Sequence, residues 1–234
     1  MAFQDRRYDE GNDASDGGFR GALRRIFIRG DGFLSWSLPL FTVPRWIRPL
    51  AGIHVRVHLL YILIAASELI SSFQQGHVGF AFAAAMMGTL FILVLLHEFG
   101  HCLACRLVGG EADDVLMWPL GGLAFCRPPM RWKPALITTL GGPAVNVIFV
   151  PILGLVLLAT GAHWDELIFN PLRPQNVVNH VYFADAYWAK WLWAAYYMNF
   201  VLLAFNMLLP MYPMDGGRAM QEILWSRIGR KRSL

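Results

Sequence analysis

Apolar residues gather in four runs, 59–73, 80–108, 135–160 and 191–209, separated by shorter polar stretches. A helix needs about 20 mostly apolar residues to cross roughly 30 Å of hydrocarbon, so this pattern predicts an all-α polytopic membrane protein with about four transmembrane helices. The first run is the weakest, being short and carrying Glu68, whose expected role is structural. Just before it, Ile53-His54-Val55-Arg56-Val57-His58 alternates apolar and polar side chains, the period of a half-exposed strand. Residues 115–120 and 123–125 flank Gly121-Gly122 between the second and third runs, which predicts a small β-hairpin-like element. Residues 33–50 are too short and too proline-broken to span, and Trp36 and Trp46 assign them to headgroup level. The first 32 residues show almost no apolar periodicity and are expected to be disordered. The chain thus divides into a tail (1–32), an interfacial segment with a short strand (33–58) and a membrane core (59–234).

Composition sharpens this reading. Hydrophobic residues make up 56% of the chain and charged ones 15%, where soluble domains carry about a quarter charged residues. A soluble globular domain is excluded. The net charge of +4 does not point to nucleic acid, because the basic residues flank apolar runs and form no stripe with interleaved aromatics. They point to topology instead. With four crossings, 18 of the 20 Lys and Arg fall on one side and only Arg173 and Lys190 on the other. The positive-inside bias then places both termini in the cytoplasm. No signal-peptide pattern opens the chain. The three cysteines, Cys102, Cys105 and Cys126, lack disulfide-framework spacing and are expected to be reduced, with Cys102 and Cys105 as small packing residues. His54 and His58 are expected to be solvated or backbone-bonded, and the aromatic stretch 187–197 to form a belt at the membrane surface.

Chemistry concentrates in the second run, at His97-Glu98-Phe99-Gly100-His101. Positions i and i+4 of a helix lie about 40° apart and about 6 Å along the axis, so both imidazoles converge on one tetrahedral zinc ion. Glu98 projects beside that pair, placed to take a proton from a metal-activated water. Polar residues in hydrocarbon cost on the order of a few kcal/mol unless compensated, and a bound cation compensates them. A third protein ligand is needed from a distant segment on the same side, and Asp215 fits. Pro210 and Pro213 break the helix there, while Gly216 and Gly217 permit unusual dihedrals, which predicts a re-entrant Pro/Gly segment aiming Asp215 inward. The rival is a turn with a solvated Asp215.

These features, with Pro119-Leu120-Gly121-Gly122, Gly141-Gly142-Pro143-Ala144-Val145-Asn146 and the stretch from Asn206 to Gly217, resemble the site-2 protease family of intramembrane zinc metalloproteases. The resemblance runs from about residue 52 to 220. It implies zinc on His97, His101 and Asp215, Glu98 as catalytic acid/base, and peptide hydrolysis within or beside the transmembrane segment of a membrane protein substrate in the lipid bilayer, as in regulated intramembrane proteolysis. Residues 59–234 are then an intramembrane metalloprotease core whose active site opens to the cytoplasm. Asn146, which the motif places beside the active site, is a candidate oxyanion donor, with an interhelical bond as its rival; Asn206 is similarly ambiguous. Gly141 and Gly142 read as packing residues. The hairpin either adds an unwound substrate as a strand or merely seals the site. It is too short for the PDZ domain of some relatives. The family often continues with further helices, so the chain reads as a minimal core or a fragment. The competing functions are a catalytically silent zinc-binding membrane protein that holds a partner helix, for which Glu98 would be unnecessary, and an ion or metal transporter, for which polar residues would be spread over several spans.

Overall fold

A computed structural model describes residues 36–73, 76–119, 121–167, 187–209, 211 and 214–228. The tail expected to be disordered, together with Leu120, Pro210 and Pro213, lies outside the described residues.

Among the described residues, a four-stranded sheet and five longer helices form the fold. Strand β1 (Ser37–Thr42) leads through a 3-10 turn at Arg48–Leu50 to β2 (His54–His58), α1 (Leu59–Phe73), α2 (Gly76–Leu107), β3 (Glu111–Trp118) and β4 (Gly121–Arg127). Helix α3 (Trp132–Ala159), a short turn at Trp164–Leu167, α4 (Tyr187–Leu208) and α5 (Asp215–Ile228) follow. Three stretches, Gly79–Leu107, Trp132–Ala159 and Trp188–Leu208, are long and apolar enough to cross a membrane. Helix α1 has only 15 residues. At 1.5 Å per residue it measures about 22 Å, short of the hydrocarbon thickness. Glu68 is exposed on it.

The sheet runs in the order β1-β2-β3-β4. Its two hairpins, β1/β2 and β3/β4, are antiparallel, and the central pair β2/β3 is parallel, reached by the α1–α2 crossover. Alternation in β2 buries Val55 and Val57, and β3 adds Val115 and Met117 to the same core. Cys102 and Cys105 of α2 complete that core as free, fully buried thiols. The hairpin expected to turn at Gly121-Gly122 turns before them, since both glycines pair within β4 opposite Trp118 and Met117; it is half of a larger sheet, in which the first half of the expected interfacial segment forms β1. Pro39 lies on this edge strand beside a break in register, where its missing N–H costs least. Arg106, which the charge count treats as a topology marker, donates to the carbonyls of Pro49, Ala51 and Ala112 and ties the 3-10 turn to β3.

Helices α2 and α3 cross closely at Gly100 and Gly141, where a Cβ on either residue would strike the other's carbonyl. Small residues at such a crossing let two membrane helices approach without side chains between them. At the far end of α3, Leu157 packs with Leu192, Trp193 and Tyr196 of α4. The expected aromatic belt is therefore divided: Trp188 and Trp191 are exposed, whereas Trp193 and Tyr196 are buried between helices.

Candidate metal centre

Six buried polar side chains from α2, α3, α4 and α5 meet below the sheet: His97, Glu98, His101, Asn146, Asn199 and Asp215. Helical spacing alone brings His97 and His101 together, with their Nε2 atoms 3.2 Å apart. Asp215 begins α5, and its Oδ2 lies 3.0 Å from His97 Nε2 and 3.3 Å from His101 Nε2. Gly216 makes this approach feasible, since a Cβ there would press on the carbonyl of Met207 at the end of α4.

Each imidazole is anchored through its other nitrogen. His97 Nδ1 lies 2.6 Å from Asn146 Oδ1, and His101 Nδ1 lies 2.9 Å from the carbonyl oxygen of Thr138. Both partners are acceptors, so both Nδ1 atoms donate and both Nε2 atoms turn lone pairs inward. Gly142 N also lies 3.3 Å from His101 Nδ1, a longer contact than the Thr138 bond. Two lone pairs and an anion therefore share one small triangle.

A single proton bridges only two corners of such a triangle, whereas a cation at its centre serves all three. Tetrahedral zinc with bonds of about 2.0–2.1 Å spaces its ligand atoms about 3.3 Å apart, close to the observed edges. Gly142 of α3 borders the same space: a Cβ there would strike His101 Nε2 and come within 2.7 Å of His97 Nε2. The donor set and its cradle fit a metal ion.

Glu98 is 6% exposed and faces the sheet. Its Oε2 accepts the backbone N–H of Ala124 on β4 at 2.8 Å, and Gly122 lies so close that a Cβ would run into the carboxylate. The sequence reading named the hairpin but not this bond. A cavity of about 210 Å³ opens over the site, bordered by Glu98, Trp118, Gly122, Thr138, Asn206 and Arg218. Asn206, which also borders it, donates to Leu202 of its own helix. Asn146 points its oxygen at His97 and donates through Nδ2 to Asn199, so its amide is engaged between helices. Asn199 was not singled out from the sequence; its signal is a lone amide in an apolar run, the same cost argument that marks Asn146. Thr139 and Glu222 join α3 to α5 through a 2.9 Å hydrogen bond, also unforeseen.

An integral membrane protein whose helix carries His-Glu-x-x-His over a buried carboxylate belongs, as a class, with membrane-embedded metallopeptidases. The particular family is shown by the chain itself: peptidase family M50 matches residues 82–234, and the protein belongs to it. It is 27% identical over 201 residues to a zinc metalloprotease of Methanocaldococcus jannaschii, covering 86% of this chain and 49% of the relative. It is 28% identical over 190 residues to Rip3 of Mycobacterium tuberculosis, designated a zinc metalloprotease, covering 77% of this chain and 43% of Rip3. The chain spans about half or less of the length of these curated relatives. Among solved structures, the site-2 protease from Methanocaldococcus jannaschii superposes with a TM-score of 0.59 at 25% identity, over 85% of this chain and 76% of that one.

Proposed function

We propose that the protein is an intramembrane zinc endopeptidase that cuts peptide bonds within or next to transmembrane segments of membrane protein substrates, as in regulated intramembrane proteolysis. The observation that carries this reading is the buried triangle of His97, His101 and Asp215, with 3.0–3.3 Å edges and the Glu98 carboxylate beside it. These three side chains would hold the zinc. When bound, zinc supplies Lewis acidity, polarising the scissile carbonyl and lowering the pKa of water toward neutrality.

The chain's own residues supply the rest. The Ala124 N–H fixes Glu98 through Oε2, which leaves Oε1 to receive the proton of the attacking water and deliver it to the departing amine. Strand β4 is an edge of the sheet, with β3 on one side only. The Ala124 N–H points away from β3 to Glu98, so the same edge runs past the site and pairs with a substrate stretch that has left its helical form. Such an extended stretch exposes the carbonyl that a helix hides in its own hydrogen bonds. Asn146 acts here through His97 rather than on an oxyanion, a role supported by its 2.6 Å contact with Nδ1.

Co-expression with single-span reporters tests the activity. The native chain is expected to shorten at least one reporter, and Glu98→Gln to slow cleavage by about 10²–10⁴-fold while keeping its zinc. Zinc bound at 1:1 with every reporter left intact by both forms would establish the silent binder instead.

A further inference from the structure

We propose that Asn199 of α4 is a positioning residue that sets the tautomer of His97 through the amide of Asn146. The proposal rests on His97 being a zinc ligand. Both amides are sealed from solvent, at 0% exposure for Asn199 and 1% for Asn146, and each sits in an apolar helix where an unsatisfied amide is expensive.

The orientation of each amide follows from the next. The backbone carbonyl of Asn146 only accepts, so the Asn199 atom 3.0 Å from it is Nδ2, the donor. That choice turns Asn199 Oδ1 toward Asn146 and makes the atom 3.0 Å away the donor Nδ2 of Asn146. Asn146 is left with Oδ1 toward His97, 2.6 Å from Nδ1. An acceptor at that point requires the proton on Nδ1 and keeps the lone pair of Nε2 for the metal. Without Asn199, the Asn146 amide is free to turn over and present N–H to Nδ1. His97 would then carry its proton on Nε2, the nitrogen that must face Asp215 and the metal. Groups that hydrogen-bond the far nitrogen of a metal-binding histidine commonly contribute about 10- to 100-fold to metal affinity.

The discriminating experiment uses the full chain in detergent, with zinc affinity read by chelator competition and the His97 tautomer read by ¹⁵N NMR in the zinc-free protein. Asn199→Leu, which keeps the branched shape and removes both hydrogen bonds, is expected to weaken zinc about 10- to 100-fold and to deplete the Nδ1–H tautomer. In the N146D background the same N199L change is expected to cost less than about twofold, because a carboxylate offers His97 an acceptor whichever way it is turned. If N199L does not fold, Asn199→Ala goes through the same cycle. Native affinity and tautomer in N199L would overturn the proposal. So would an equal loss in both backgrounds, which would mark Asn199 as helix packing only. Absence of zinc binding by the native chain would instead defeat the functional reading, while the tautomer measurement would still report on Asn199.

Discussion

His97 and His101 owe their usefulness as much to what holds Nδ1 as to what Nε2 faces: a Thr138 carbonyl on one ring and the Asn146 amide on the other. Between the two rings the only tolerated side chain is a hydrogen atom, at Gly142. Gly142→Ala is expected to lower zinc affinity at least tenfold, measured by chelator competition, because the added methyl occupies the space of the ion. Native affinity in that variant would show that the space is not the metal's. The histidine pair and Glu98 are legible in the sequence because one helix sets their spacing, and Asp215 because charge bookkeeping puts it on their side. Gly142 reads as helix packing, since nothing along the chain reports which side chains its neighbour helix aims at it. The role of Asn199 is hidden for a related reason: a lone amide in an apolar run signals a cost but not a partner, and its partner is 53 residues away.

Helix α5 delivers Asp215, so what anchors α5 to α3 also positions the centre. Glu222 accepts from Thr139 Oγ1 at 2.9 Å, while its Oε2 is buried without a partner. Burial pushes this carboxyl up from its ordinary 4.5 to about 6, against the opposing pull of Thr139 and Arg218. A carboxyl whose folded pKa is raised favours the folded state while protonated. Its stabilisation is complete below about pH 4.5 and is lost as pH rises through about 6. Glu222→Gln is therefore expected to remove that pH dependence and to be more stable at pH 7 by on the order of 1 kcal/mol, after discounting for partial exposure. Thermal unfolding at pH 4.5 and 7 checks this, and parallel shifts in both proteins would refute it. The same scale shows where the pattern of the chain misleads. Alternation reveals β2 and Gly121-Gly122 reveals the hairpin, but β1 is broken by Pro39 and rich in exposed apolar residues, so it mimics a membrane-surface segment.

Among the described residues, three helices have the length to cross a bilayer, and three crossings would put the termini on opposite sides. The lopsided count of 18 basic residues against two argues for an even number. We therefore propose that α1, though only about 22 Å long, crosses as the first of four helices, with both termini and the opening of the site in the cytoplasm. Single cysteines in a cysteine-free background test it: Trp46→Cys is expected to label from the cytoplasm and Phe73→Cys, at the far end of α1, from outside. Labelling of both from one side would remove α1 from the count. The proposed activity requires one zinc ion held by nitrogen and oxygen from two separated helices. X-ray absorption of the zinc-loaded chain measures this directly. Two imidazole nitrogens and a carboxylate oxygen at about 2.0–2.2 Å are expected, with the carboxylate lost in Asp215→Ala. Sulfur at about 2.3 Å, which would mean that Cys102, Cys105 or Cys126 holds the metal, or a spectrum unchanged by Asp215→Ala, would contradict the account.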